Sequence, residues 1–399
     1  MSLLSSLHIL DFSTLIPGPF ASLLLADLGA DVVRVESPKR PDLMRFFPPI
    51  RDGKSATYDY LNRSKRSIAI DLKTDNGVAV IKRLVRRYDI IIEQFRPGVM
   101  QKLGLGYDEL KEVNPSLIYC SITGYGQTGL YKNRAGHDLN YLSVAGVASY
   151  NGRKKSGPTP MNLQVADIAG GSYHAVISVL AAAIHRSITG EGQHIDVSLT
   201  DAAFSMQVTT ISNALLSGKN PELETDIFNG GTFYDCYETS DGRFFSICSI
   251  EPQFFTRLCE LLGFPELSQY ALSSDPKIQH TLKNRISSTM KTKTFAEWKD
   301  LFSEIDACVE PVNTLTEAID HPQIKARELI VEVPDGDTCQ KQMGFPVKFS
   351  SFNPSYKFTA VEIGKNTEEI LLENGFNKDE IEQLGSVDKL FKTIPKMKV

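Results

Sequence analysis

The sequence predicts an α/β protein: a Rossmann-like large domain built on a parallel sheet, joined to a smaller α+β domain. Three observations carry this prediction. Runs rich in β-branched residues alternate with helix patterns as far as Ser198, the signature of parallel strands linked by crossover helices. At 399 residues the chain passes the roughly 250–300 residues at which a single core stops growing. Beyond Ser217 the alternation stops and a hairpin followed by helices takes over.

The elements follow in order. Leu7 to Asp11 reads as a short strand, and Pro17-Gly18-Pro19 opens an apolar helix from Phe20 to Leu28. Asp31 to Glu36 is a second strand. The cycle recurs as strand Ser67 to Leu72, helix Gly77 to Arg87, strand Asp89 to Glu93, helix Tyr107 to Val113 and strand Leu117 to Ile122. A long apolar helix runs from Asp167 to Arg186, then a strand from Gln193 to Ser198. A further helix, capped by Thr200 or Asp201, continues to Leu216. Ser217 to Asp226 contains Gly218 and Pro221 and reads as a linker. Phe233 to Tyr237 and Arg243 to Cys248 flank Ser240-Asp241-Gly242, a hairpin signal. Helices at Pro252 to Leu262 and Phe295 to Glu304 complete the smaller unit. After Ile319 the chain turns irregular and ends in a helical pair, Asn366 to Asn374 and Lys378 to Leu384. The expected domains are therefore 1–216, then 217–319 with its linker, then 320–399 returning to the large domain.

Composition excludes several classes. A hydrophobic content of 42% with 23% charged residues describes an ordinary globular protein. A net charge of -5 gives no reason to expect a nucleic-acid partner. Ile168 to Ile184 is interrupted by Ser172, Tyr173, His174 and Ser178; it reads as a buried helix rather than a membrane span. Met1 to Leu10 lacks the basic start and apolar run of a signal peptide. Pro395 to Val399 is no peroxisomal signal, so a cytoplasmic protein is expected. The six cysteines (120, 236, 248, 259, 308 and 339) form no C-x-x-C pair and no metal-ligand spacing. Reduced, mostly buried thiols and no metal are expected.

Gly124-Tyr125-Gly126-Gln127-Thr128-Gly129 matches G-x-G-x-x-G after a strand. A dinucleotide site needs a helix to start at the third glycine, but a basic, loop-like Leu130 to Gly136 follows, so that reading is rejected. Asn62-Arg63-Ser64-Lys65-Arg66-Ser67 is either a solvated basic edge or, with Arg96, a phosphate cradle at strand C-terminal ends.

The candidate chemistry lies elsewhere. His137 sits in Gly136-His137-Asp138-Leu139-Asn140-Tyr141, and Asp167 in Ala166-Asp167-Ile168-Ala169-Gly170-Gly171. A histidine and a carboxylate on opposite sides of one carbon can take a proton from one face and return it to the other. Each also has a structural reading: His137 as a hydrogen-bonded histidine, Asp167 as a helix N-cap. Asp138 is a cap, an orienting group or itself the acid. Glu251 precedes Pro252 and has the position of a helix-start carboxylate. His174, His185 and His194 read as structural.

These residues resemble the family III CoA-transferase superfamily (CaiB/BaiF type), and within it the α-methylacyl-CoA racemases. The resemblance spans nearly the whole chain, through Ile16 to Phe20, Lys65 to Lys73, Phe95 to Met100, Gly124 to Gly129, Gly136 to Tyr141, Ala166 to Gly171, Ile250 to Phe254 and Asp306 to Val312. It implies that His137 with Glu251 serves one face of the substrate and Asp167 the other. It implies an interlocked homodimer, with Glu251 reaching the site from the second subunit. CoA contacts carry over to Ile70, Asp71, Leu72, Lys73, Arg96, Gly136, Asp138, Leu139, Asn140 and Tyr141. The CoA thioester is the substrate and no cofactor is implied.

The chain departs from that pattern in places. Ser37 stands where the racemases carry a basic residue before Pro38, leaving Lys39 or Arg40 to substitute. The stretch after Gly230-Gly231 lacks an alanine-proline step, and Met44 to Tyr60 reads more like the bacterial transferases. The implied function is inversion of the α carbon of 2-methylacyl-CoA thioesters, in fatty acid metabolism, through an enolate held between two proton donors. The alternative is a CoA-transferase in which Asp167 is the nucleophile that carries the acyl group and CoA. A non-catalytic acyl-CoA carrier is disfavoured by the three acid/base candidates. The region Phe228 to Tyr237 is expected at the entrance for the acyl chain.

Overall fold

The computed structural model describes residues 2–383. Leu384 at the end of the expected last helix, and Pro395 to Val399, lie outside the described residues. The described residues divide into two compact units, one of residues 2–145, 163–206 and 325–383, the other of 146–162 and 207–324.

The larger unit is built on six parallel strands: β1 (His8–Asp11), β2 (Asp31–Glu36), β3 (Arg66–Ala69), β4 (Ile90–Glu93), β5 (Ile118–Thr123) and β6 (Gln193–Ser198). Their order is β6-β5-β4-β1-β2-β3. The first three strands step one way from β1 and the last three step the other way. That order belongs to doubly wound sheets and puts a topological switch point between β1 and β4. Ligands of such sheets bind outside the strand C-termini at that point. The register agrees, with Ile9, Leu10 and Asp11 facing Ile90, Ile91 and Ile92. All six of these residues are fully buried. Ile, Val and Leu suit strands covered on both faces.

The crossovers are helical where apolar spacing and caps coincide. Helix α1 (Pro17–Asp27) starts on Pro17 at its first turn, where a missing N–H costs nothing. Helix α2 (Asp75–Leu84) is capped by the Thr74 hydroxyl, which accepts from the Gly77 N–H, and buries Val80, Ile81 and Leu84. Helix α3 (Asp138–Val144) follows the Gly124–Gly129 loop. No helix begins at Gly129, in keeping with the rejected dinucleotide motif.

The long helix is not the buried rod expected from sequence. Residues Ala166–Tyr173 form wider, π-type turns that run directly into α4 (His174–Thr189). Together they make a helix of 24 residues, long and apolar enough to cross a membrane, of which 33% of the most apolar stretch is buried. Ile177, Ile184 and Ile188, at 63%, 65% and 79% exposure, share one outward face at helical spacing.

After β6 the expected single helix is two. Helix α5 (Leu199–Ser205) is capped by the Ser198 hydroxyl, which accepts from the Asp201 N–H, rather than by Thr200 or Asp201. Helix α6 (Val208–Ser217) follows, and the boundary between the units falls in the break between the two helices. The expected domain boundary ten residues later passes over this break because the apolar pattern continues through it.

The smaller unit holds an antiparallel sheet of β7 (Asp235–Glu238), β8 (Phe244–Ile247) and β9 (Val309–Pro311), in that order. Helices α7 (Pro252–Leu262), α8 (Pro276–Met290) and α9 (Phe295–Ser303) supply the core with Phe255, Leu258, Leu282, Ile286 and Trp298. The segment expected to be irregular after Ile319 contains a hairpin, β10 (Ile330–Asp335) with β11 (Thr338–Met343), which belongs to the larger unit. Helix α10 (Thr367–Glu373) closes that unit's core with Ile370 and Leu371.

The thiols also differ from expectation. All six are free, but only Cys120 and Cys259 are buried, whereas Cys236, Cys308 and Cys339 are exposed. Strand alternation turns Cys236 outward beside the buried Tyr237.

Candidate active site

The basic cluster before β3 is neither a solvated edge nor a phosphate cradle. Arg63 is 1% exposed and grips Asp27 with Nε and Nη2, at 3.0 and 2.6 Å. Its third donor reaches the Met343 carbonyl at 2.6 Å. Lys65 is also buried, donating to the Pro19 carbonyl at 2.7 Å, the Ser22 hydroxyl at 2.7 Å and the Asn62 carboxamide oxygen at 3.1 Å. Burial pulls its pKa down to about 7, against the pull of Asp11. Arg34 and Asp11 complete this interior network. These charges fasten α1 to the sheet.

Arg96 is exposed just beyond β4, at the switch point. There the Gly18 N–H donates to the Gln94 carboxamide oxygen at 3.0 Å and joins the head of α1 to the loop after β4. Asp71 accepts from Lys39 Nζ at 2.7 Å, which drops its pKa. The lysine near the departure at Ser37 is thus held at the strand C-termini. Lys73 is exposed and Leu72 half-buried, but Ile70 is 7% exposed in the core. Only the backbone of Ile70 is left to meet a ligand.

The run Gly136 to Tyr141 folds into the head of α3 and spends its polar groups locally. The Asn140 side chain accepts from the His137 N–H at 3.0 Å, and the Tyr141 hydroxyl donates to the Gly136 carbonyl. A Cβ on Gly136 would lie 2.7 Å from the Tyr141 ring, so that approach requires glycine. Asp138 Oδ1 accepts from the Asp167 N–H at 3.0 Å. Three side chains expected to touch CoA therefore also hold His137 and Asp167 in place. Leu139 and the His137 ring remain exposed.

Asp167 is not the N-cap of its helix. That position is Val165, and Asp167 lies inside the first turn. Its capping duty is taken by Asp138 from another element, which frees the Asp167 carboxyl. Burial, aided by the Asp138 charge, pushes its pKa from 3.8 up to about 7. Burial and the same two carboxylates raise Tyr141 as well, with Tyr125 adding to the effect. A carboxyl that titrates near neutrality accepts and returns a proton with comparable ease. Gly171 lets the segment press against α1, since a Cβ there would lie 3.1 Å from Pro17 Cβ.

His137, Asp138 and Asp167 thus all belong to the larger unit, while Glu251 belongs to the smaller one. Glu251 precedes Pro252 at the head of α7, as expected, yet its side chain does not cap that helix. The smaller unit also contains an apolar cavity of about 670 Å³, lined by Tyr150, Met161, Phe228, Tyr234, Cys236 and Cys248 among others. Tyr150 and Met161 precede Asp167 in the chain but fold into the smaller unit, a placement that no local sequence signal marks. Among the described residues, no group of three or more His, Cys, Asp or Glu side chains is arranged to hold a metal ion.

Comparison with known proteins agrees with this geometry. The family model for CoA-transferase family III matches residues 4–367. The chain is 37% identical over 396 residues to the alpha-methylacyl-CoA racemase of Homo sapiens, covering 98% of each. It is 34% identical to the succinate–glutarate CoA-transferase of Agrobacterium fabrum, covering 93% of this chain and 95% of that one. A CAIB/BAIF family protein from Brucella suis superposes with a TM-score of 0.81 at 30% identity, covering 94% of this chain and 99% of that one. A doubly wound sheet, an aspartate raised toward neutrality beside a Gly-His-Asp helix start, and these matches lead to one conclusion: the chain belongs to CoA-transferase family III.

Proposed function

We propose that the protein is a racemase that inverts the α carbon of 2-methylacyl-CoA thioesters. The observation that carries this reading is the bond from the Asp167 N–H to Asp138, which ties the residue next to His137 to the second proton carrier. The α-hydrogen of a thioester is acidic because its enolate delocalises onto the carbonyl oxygen. Asp167 takes that proton from one face, and His137 delivers one to the other. Reversal of the roles converts the opposite enantiomer.

Arg96, Lys73 and the Asp71–Lys39 pair sit where a doubly wound sheet meets a charged ligand, and we assign the CoA moiety to them. Glu251 is assigned to His137 in a homodimer, supplied by the second subunit. The uncovered face of Ile177, Ile184 and Ile188 supports such a dimer, because monomers rarely leave apolar faces to water. Six free thiols fit a cytoplasmic location.

One observation favours a second reading. Relatives 34% and 31% identical across most of the chain are CoA-transferases, and Asp167 also has the chemistry of a nucleophile. Proton NMR of a (2R)-2-methylacyl-CoA in deuterium oxide, without any carboxylate acceptor, separates the two. Loss of the α-proton signal with inversion is expected. An unchanged spectrum that yields new thioesters once carboxylates are added would make the protein a transferase.

A further inference from the structure

We infer that Ser172 is a positioning residue, holding Asp167 in the helical register that aims its carboxyl at the reacting carbon. The inference rests on Asp167 being the reacting carboxylate, which both readings above share.

Asp167 lies in the π-type turns of Ala166–Tyr173, which continue without a break into α4. Such turns are rare and recur at functional sites. Each is one residue wider than an α turn. Relaxing one to α geometry would rotate Asp167 by about 100° relative to α4.

Two side chains oppose that relaxation. The Ser172 hydroxyl is fully buried, donates to the Pro17 carbonyl across 2.7 Å and lies 3.2 Å from the Asp167 carbonyl, five residues back. His174 Nδ1 lies 2.8 Å from the Ala169 carbonyl, again five residues back. A carbonyl only accepts, so that nitrogen carries the proton. Both contacts span the five-residue interval of a π turn.

The shorter Ser172 bond leaves the helix altogether. Pro17 heads α1 in the loop after β1, beside the switch point where doubly wound sheets take their ligands. One hydroxyl, its single proton shared unequally between the Pro17 and Asp167 carbonyls, therefore ties the main chain of Asp167 to the head of α1 at the ligand crevice. Ser172 has no accessible surface of its own and cannot meet the substrate. It acts through Asp167.

The test compares Ser172→Ala and Ser172→Thr with the wild-type enzyme, reading kcat for α-proton exchange, thioester affinity, pH profile and melting temperature. Ser172→Ala is expected to lower kcat by at least about 10²-fold, since a misplacement of only 1 Å already costs that much. Thioester affinity stays at the wild-type value. The pH limb assigned to Asp167 moves to lower pH, because a carboxyl turned toward water loses its burial. Ser172→Thr, which keeps the hydroxyl, recovers most of the rate. Wild-type kcat and pH profile in Ser172→Ala would overturn the inference. So would a loss of rate and affinity together that threonine does not restore, since that is a structural role only.

If Ser172→Ala does not fold, His174→Phe removes the adjoining bond. Reduced kcat at unchanged affinity then supports the inference, and wild-type kcat overturns it. Should the wild-type enzyme move CoA between carboxylates and exchange no α-proton, the racemase reading falls. The same comparison is then read on transfer, with the same outcomes expected.

Discussion

The carboxylate of Asp138 accepts the backbone N–H of Asp167 across 3.0 Å, so the residue after His137 fixes the main chain of Asp167. The same carboxylate helps raise the pKa of Asp167 to about 7, after the larger effect of burial. One side chain thus bears on both the geometry and the proton affinity of Asp167.

Asp138→Asn separates these effects. Asparagine keeps an oxygen to accept the Asp167 N–H but removes the charge. The Asp167 pKa then falls, and the corresponding limb of the kcat/KM pH profile moves to lower pH. A limb unmoved by this change would show that Asp138 acts through geometry alone.

Asp167 weakens the fold at neutral pH. Its pKa is raised from 3.8 to about 7, so between those values the folded chain keeps a proton that the unfolded chain releases. Stability falls as pH rises through that window and levels off above it. Asp167→Asn has no charge to bury. Its melting temperature is expected to match the wild type in acid and exceed it above neutrality, by at most ~4 kcal/mol of stability. A gain independent of pH would contradict the assignment.

The basic residues divide by role. Arg63→Ala leaves Asp27 buried without its partner, a loss of about 3–5 kcal/mol read as a lower melting temperature. Arg96→Ala leaves the melting temperature unchanged and weakens CoA binding. The reverse pattern would return the cluster before β3 to the role of phosphate cradle.

The apolar face of α4 predicts a dimer. Replacing Ile184 and Ile188 together by Asp is expected to give monomers with no α-proton exchange, read by light scattering and NMR on the same sample. Wild-type size and rate in that variant would place the interface elsewhere.

The parallel sheet was legible because Ile90 to Ile92 and Val32 to Val35 are buried on both faces, a condition that writes itself into composition. His137, Asp167 and Glu251 stood out because their flanking motifs resemble a family. The roles of Arg63 and Lys65 were not visible. Their partners, Asp27 and Asp11, lie 36 and 54 positions earlier and meet them only once the chain between has folded. The π-type turns leave no periodic trace, because eight residues with two glycines fit several helical periods. Hairpin β10–β11 was hidden by Pro334, which demotes a strand pattern to an edge. Helix α8 was hidden by its polarity, although Asp275-Pro276 and the spacing of Leu282, Ile286 and Met290 mark it.

The proposed action of His137 and Asp167 on opposite faces of one carbon is read from His137→Ala with each enantiomer of a 2-methylacyl-CoA in deuterium oxide. The expected result is loss of inversion for both enantiomers, with α-proton exchange surviving only for the one whose hydrogen faces Asp167. Full inversion in this variant would contradict the two-face mechanism.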